Sequence, residues 1–260
     1  MNSGLSKSDV VIRTVLSYDG YALKSEPDAI IREVPLRILL NSHQVVTLAC
    51  TGSHIDELAV GWLQSEGLIR YKNDLIDIQK DEEKVTVSVM IQKPIEPPKV
   101  ENVAVASSGS RSITGQMIRT PLCESPVHLT LSNVQHLMDS FLEQCRLHDE
   151  TGGTHGAALA RPEELIVVRE DIGRHNAIDM LGGYALLKGL DCKNMVIVRT
   201  GRVYTEIVQK VWTLGVPILI SISVPTTSAI REAETAGITL VGSVRRGRMK
   251  IYTHERRIHL

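Results

Sequence analysis

The chain has 260 residues, 43 % of them hydrophobic, with 29 basic and 30 acidic side chains and a formal net charge of −1. That is enough apolar material for one large or two modest domains, and the balanced charge excludes a generally basic, nucleic-acid-binding surface. No apolar run approaches the roughly 20 residues of a membrane span, and residues 1–9 lack a signal-peptide core, so the sequence points to a cytoplasmic protein with no nucleic-acid or membrane partner.

The first third is strand-rich. Residues 10–15, 36–40, 45–49, 75–78 and 85–91 are short, apolar and β-branched, and Asn41-Ser42-His43 predicts a hairpin turn. One helix interrupts them. Ser53 is its expected cap, Asp56 and Glu57 suit its positive end, and Leu58, Trp62 and Leu63 form an apolar face before Gly67. A proline-containing stretch at 93–98 breaks the pattern, and residues 107–115 form a small, polar, flexible loop. From Ser132 a helix is expected, with Ser132 and Gln135 as a capping box. Beyond Thr151 strands (156–160, 165–168, 195–198, 217–222, 238–241, 249–252) alternate with helices (177–188, 204–214, 226–236). The fold class is therefore α+β or α/β. A β-rich N-terminal domain (1–130), with one helix and a flexible loop at 107–126, precedes an α/β domain (131–260).

Glu170-Asp171-Ile172-Gly173-Arg174-His175-Asn176 sits at a strand-to-helix junction, where α/β proteins place ligand sites. A structural reading has Asp171 capping the helix and Arg174 pairing with Glu170. It leaves His175 and Asn176 unassigned, so the ligand-site reading is preferred. Thr151-Gly152-Gly153-Thr154-His155 reads either as a close backbone approach to a ligand or as a tight turn with Gly152 ending a helix. Thr200-Gly201-Arg202 and Ser223-Val224-Pro225-Thr226-Thr227 follow consecutive strands, so both turns are expected at one sheet edge, offering N–H groups to an anion or simply capping helices. The cluster Arg245-Arg246-Gly247-Arg248 suits phosphate, because guanidinium binds it bidentately, and equally suits a solvated hairpin turn.

Four cysteines (Cys50, Cys123, Cys145, Cys192) show no C-x-x-C spacing, so no zinc knuckle or redox pair is written here and no structural metal is expected. Zinc-dependent deamination needs H-x-E and P-C-x-x-C, whereas His155 is followed by Gly156 and Ala157. A nucleotide-converting enzyme using Glu170, Asp171 and His175 as acid–base groups is disfavoured for the same reason.

These motifs, together with Glu33-Val34-Pro35-Leu36, Asn41, Thr51-Gly52, Glu57-Leu58-Ala59-Val60-Gly61-Trp62-Leu63, Ser65-Glu66-Gly67 and Thr239-Leu240-Val241-Gly242 leading to Ile251-Tyr252-Thr253, resemble the FdhD/NarQ family of formate dehydrogenase accessory (sulfur carrier) proteins. The resemblance implies that sulfur is passed from a cysteine desulfurase to the molybdenum cofactor, bis-molybdopterin guanine dinucleotide, for insertion into formate dehydrogenase. It also implies a C-terminal domain like the cytidine deaminase fold without its zinc. The family's cofactor-binding segment falls on Ser243, Val244, Arg245, Arg246, Gly247 and Arg248. Gly152, Gly153, His155, Asp171, Arg174, His175, Asn176, Gly201, Arg202 and Thr226 are expected to complete the cofactor site. One departure stands out. The family's C-G-x-C-G loop is replaced, with Arg111 and Thr114 at the cysteine positions. A persulfide needs a thiolate, so Cys123, the nearest thiol, is the expected carrier. The alternative is a cofactor-binding chaperone without sulfurtransferase activity. A homodimer is expected from exposed strand edges in the first domain.

Overall fold

The computed structural model describes residues 9–92, 105–106, 121–122 and 124–260. The loop at 107–120 and Cys123 lie outside the described residues.

Strands β1 (Val10–Tyr18) and β2 (Leu23–Ile31) form a separate antiparallel ribbon. Strands β3 (Val34–Leu40), β4 (His43–Cys50), β5 (Leu75–Asp81), β6 (Thr86–Ile91) and β7 (Val105–Ala106) make a five-stranded sheet in the order β5-β6-β3-β4-β7. The expected turn after β3 is present, with Asn41 and Ser42 at φ 47° and 70°. Helix α1 (Ile55–Ser65) lays Leu58 and Leu63 onto Leu36, Ile38, Val87 and Val89. Ser53 does not cap it. The cap is His54, in the left-handed region, and the Ser53 hydroxyl donates to Asp9 instead.

The second half contains β8 (Leu129–Thr130), α2 (Leu131–Gln144), α3 (Arg146–Thr151), β9 (His155–Ala160), β10 (Leu165–Asp171), α4 (Arg174–Lys188), β11 (Val196–Arg199), α5 (Thr205–Leu214), β12 (Ile218–Ser221), α6 (Thr227–Ala236), β13 (Thr239–Arg245), β14 (Arg248–Thr253) and β15 (Ile258–His259). Six strands form one sheet in the order β10-β9-β11-β12-β13-β14, with β11, β12 and β13 parallel and the others antiparallel. A sheet covered on both faces reads as unbroken apolar runs. Accordingly Val196, Val198, Ile218 and Ile220 face α2, while Ile197 and Leu219 face α4, α5 and α6. The architecture is mixed α/β, with six α-helices among the described residues. The capping box of α2 is Thr130 with Asn133, not Ser132 with Gln135, because the helix begins two residues earlier than that cap implies.

The two halves meet where α1 crosses α4. A Cβ on Gly61 would lie 1.7 Å from the Asp179 carbonyl oxygen, and one on Gly183 would lie 1.8 Å from that of Glu57. Both obstacles are backbone, so only glycine permits this approach. Polar groups reinforce the crossing. Arg169 holds Glu57 through two hydrogen bonds of 2.6 and 2.8 Å. Lys210 Nζ donates to both Asp179 oxygens, at 2.7 and 2.8 Å. The latter pair is buried, a placement that costs desolvation and is tolerated only when paired.

A cation-lined sheet edge as candidate functional site

The C-terminal ends of β10, β11, β12 and β13 and the N-termini of α4, α5 and α6 gather at one edge of the six-stranded sheet. The two turns expected to share an edge do so. Val203 N donates to Val224 O (3.1 Å) and Thr226 N to Val203 O (3.0 Å). His155 starts β9 at this edge, directly opposite Asp171.

Cations collect here. Arg199, the last residue of β11, is only 1 % exposed. Its Nη1 donates to the carbonyls of Gly201 (3.2 Å) and Arg202 (2.8 Å), and its Nε has no partner. Arg174, at the start of α4, likewise has an unpartnered buried Nε. No carboxylate among the described residues pairs with either guanidinium. Arg174 and Arg202 both stack on Tyr204, each guanidinium carbon 5.3 Å from the ring centroid. Gly201 adopts φ +76°, and a Cβ there would sit 3.3 Å from His155 Nδ1.

The electrostatics follow from burial and like charge. Burial, then the neighbouring Arg174, bring the Arg199 guanidinium down to about 10. Burial, then Lys210, Arg174 and Arg199, hold His175 down at about 3. Burial and the cations Arg199 and Arg174 also lower His155. His175 is therefore neutral near pH 7. Its Nε2 lies 2.9 Å from Glu206 Oε2, but off-line for a hydrogen bond, so the contact is not an ion pair. A buried cation without a counter-charge costs several kcal/mol. An edge built this way can hold an anion.

The residues expected at the cofactor site divide into three groups. His155, Arg174, His175, Gly201 and Arg202 come together around Arg199, a residue the sequence reading did not single out. A second group serves the fold. Asp171 is fully buried and accepts from Thr51 N (2.9 Å), Thr51 Oγ1 (3.1 Å), Gly173 N (2.9 Å) and Asn176 Nδ2 (2.7 Å). Asn176 Nδ2 also donates to Ala49 O (2.8 Å). These two side chains fasten β4 to α4. Thr226 caps α6 by accepting from Ala229 N, Gly152 ends α3 at φ +62°, and Gly153 packs against Ile31. Arg174 does not pair with Glu170, whose oxygens accept from Leu147 N, His148 N and Thr154 Oγ1.

The third group is the hairpin between β13 and β14. Arg246 and Gly247 form its turn at φ 51° and 73°, and Ser243 N ties its base to Ser223 O (2.9 Å). Ser243, Arg245, Gly247 and Arg248 line a cavity of about 1010 Å³, closed on its other side by Leu131, Ser132 and Gln135 of α2. Val244 is buried and anchors the strand. The cation cluster lies on the α4–α6 face of the sheet edge and this groove on the α2 face.

Cys50, Cys145 and Cys192 are buried free thiols, each pushed up to about 12 chiefly by burial. They are not thiolates at neutral pH. Flanking Cys123, Leu122 N donates to Ala236 O (2.7 Å) and Ser125 Oγ to Lys193 O (2.7 Å), both at the sheet edge opposite the cations. No helix among the described residues is long and apolar enough to cross a membrane.

Comparison with known proteins agrees with the sequence motifs. The model of the FdhD/NarQ family matches residues 31–259. The Sulfur carrier protein FdhD of Bacillus subtilis (strain 168) is 35 % identical over 253 residues, spanning 95 % of this chain and 97 % of the relative. That of Geobacillus kaustophilus is 36 % identical over 252 residues, spanning 95 % and 96 %. The crystal structure of a formate dehydrogenase accessory protein from Desulfotalea psychrophila shares the fold, with a TM-score of 0.80 at 23 % identity over 96 % of this chain and 100 % of that one. With the family pattern matched almost throughout and relatives aligned nearly end to end, the chain belongs to the FdhD/NarQ family.

Proposed function

We propose that this chain is a cytoplasmic sulfur carrier for formate dehydrogenase, receiving sulfur from a cysteine desulfurase and delivering it to bis-molybdopterin guanine dinucleotide. The observation that carries this reading is the pairing of the buried Arg199 with the half-buried Arg174, whose buried Nε atoms both lack partners. Unpaired buried donors of positive charge fit the phosphate oxygens of a dinucleotide. Arg199, Arg174, Arg202 and His155 would hold phosphate, with the Ser243–Arg248 hairpin available to a second part of the ligand. The bound cofactor supplies the molybdenum centre that accepts sulfur. The protein's residues bind and orient it, and the neutral His175 adds no competing charge. The likeness to the deaminase fold belongs to the same proposal and is supported by the three central parallel strands, whose C-terminal ends share one edge.

Sulfur enters by transpersulfidation. The Cys123 thiolate attacks the outer sulfur of the donor's persulfide, an S–S bond forms on Cys123, and the donor cysteine leaves as thiolate, with no net redox change. The high pKa values of the three described thiols support Cys123 as carrier, whereas the position of its neighbours Leu122 and Ser125 at the sheet edge opposite the cations supports the chaperone alternative. The test incubates the protein with a cysteine desulfurase and cysteine and follows intact mass without reductant. A gain of one sulfur atom, absent in Cys123→Ser, is expected. A protein that binds GDP but takes up no sulfur would instead be a cofactor-binding chaperone, the reading favoured by Arg111 and Thr114 at the family's cysteine positions.

A further inference from the structure

The short strands β8 and β15 bring two imidazoles together from distant parts of the chain. Their parallel register sets Ile258 beside Leu129 and His259 beside Thr130. Val127 and Leu129 are buried, and Ile258 packs against the same core, so both strands are anchored through their inner side chains. Side chains alternate along a strand, which turns His128 and His259 to the outer face, where both are exposed. There His259 Nε2 stands 3.0 Å from His128 Nδ1. The ring centres are 4.8 Å apart and the ring planes are inclined by 37°. Neither imidazole pairs with a carboxylate among the described residues.

Two arrangements hold imidazole nitrogens this close. In a head-on N–H···N bond of this length the ring centres would lie about 5.3 Å apart, because such bonds prefer to be straight. Two nitrogens bound about 2.1 Å from one metal ion, roughly at right angles, stand about 3 Å apart with ring centres about 4.6 Å apart. The observed 4.8 Å is nearer the second figure. The rings therefore share one proton in a bent contact whose dimensions are close to those of a chelate. We propose that His128 and His259 bind a late first-row divalent cation, Cu2+ or Ni2+ before Zn2+. Imidazole suits all three ions, but a right-angled nitrogen pair matches the tetragonal geometry of the first two and not the tetrahedral one of zinc. The ion takes the place of the shared proton, which moves to the far nitrogen of the ring that held it. Each ring then offers one lone pair, and no net proton is released. Among the described residues no group of three histidine, cysteine or carboxylate side chains could hold a metal ion, so the other coordination positions belong to water. The space exists: His128 also lines a groove of about 700 Å³ with Pro126, Val127, Arg161, Leu190 and Met195. The inference is independent of the sulfur-carrier reading, because it concerns other residues and another measurement.

Calorimetric titration of the untagged full-length chain with Ni2+ tests it. The wild type should take up one ion per chain at this pair. His128→Gln and His259→Gln should each weaken that uptake at least roughly tenfold, since either change leaves a single nitrogen. His43→Gln, at an exposed histidine on β4, should leave it unchanged. To guard against local unfolding of the variants, the unmutated chain loaded with one equivalent of Cu2+ should show, in its electron spin echo modulation, two coordinated imidazoles. A wild type that takes up no Ni2+ overturns the proposal. So does uptake that survives both substitutions, or a copper spectrum without a pair of imidazoles.

Discussion

Replacing Arg199 with methionine separates binding from folding at the cation-lined edge. Two terms oppose one another. The fall of the guanidinium from 12.5 to about 10 corresponds to about 3 kcal/mol of unfavourable charge burial, which Met removes. Against this, Nη1 gives up two charge-assisted hydrogen bonds, to Gly201 O and Arg202 O, together worth about 3–6 kcal/mol, although Gly201 O keeps the bond it accepts from Ser221 Oγ (2.8 Å). Met has a similar length and packs where the aliphatic stem lay. The terms nearly cancel, and Arg199→Met should lie within about 2 kcal/mol of wild type, a melting shift of about 4–8 °C for a chain of this size. Ligand binding should respond quite differently. Wild-type protein in GDP at 100 times its Kd should gain about 2.7 kcal/mol, and the variant should need at least tenfold more GDP for the same gain. Melting temperature against GDP concentration, for both proteins, is the assay. A folded Arg199→Met that responds to GDP as the wild type does would refute the assignment of this edge to the phosphates. A collapse of stability in the absence of GDP would show that the guanidinium is a structural post.

Gly61→Ala should destabilise despite the better helix propensity of alanine, worth about 1 kcal/mol. Its Cβ would start 1.7 Å from a backbone oxygen, so α1 and α4 must part by more than 1 Å, and overpacking should leave a net loss of about 2–4 kcal/mol in a urea titration; an unchanged midpoint would mean that the crossing is looser than described. Acid should weaken the fold through His175. Its folded value of about 3 lies below the ordinary 6.5, so the stability tied to its neutral form is complete above pH 6.5 and is lost as pH falls from there toward 3. Each pH unit below 6.5 should cost about 1.4 kcal/mol, and His155, lowered in the same direction, adds to the slope. Urea midpoints at pH 7.5, 5.5 and 4.5 should show a clearly flatter acid limb in His175→Gln, and equal slopes would contradict the burial argument.

What the sequence revealed follows the range over which each signal acts. The apolar runs of β11 and β12 and the periodicity of α5 and α6 are local, and they were placed nearly to the residue. Strand β2 was missed because Pro27 and the charges of its polar face interrupt the apolar alternation, and α3 because six residues with one buried side chain, Leu147, make no period. The density of polar groups between 170 and 176 did mark a special segment, but their division of labour was hidden. Asp171 and Asn176 find their partners at Thr51 and Ala49, 120 and 127 positions away, and no local pattern reports such distances. Arg199 had a readable sign: a charge closing an otherwise apolar run on a central strand, just before a glycine turn.

The depth of the three described thiols has a consequence for chemical kinetics. With burial raising each to about 12, all three stay protonated at pH 7.5. An alkylating reagent therefore spares these three thiols in the native chain at first. Later equivalents arrive only when the interior opens, Cys50 reporting the β4–α1 core, Cys145 the α2 face and Cys192 the α4–α6 face. The unmutated protein thus carries three built-in clocks for the breathing of its three cores.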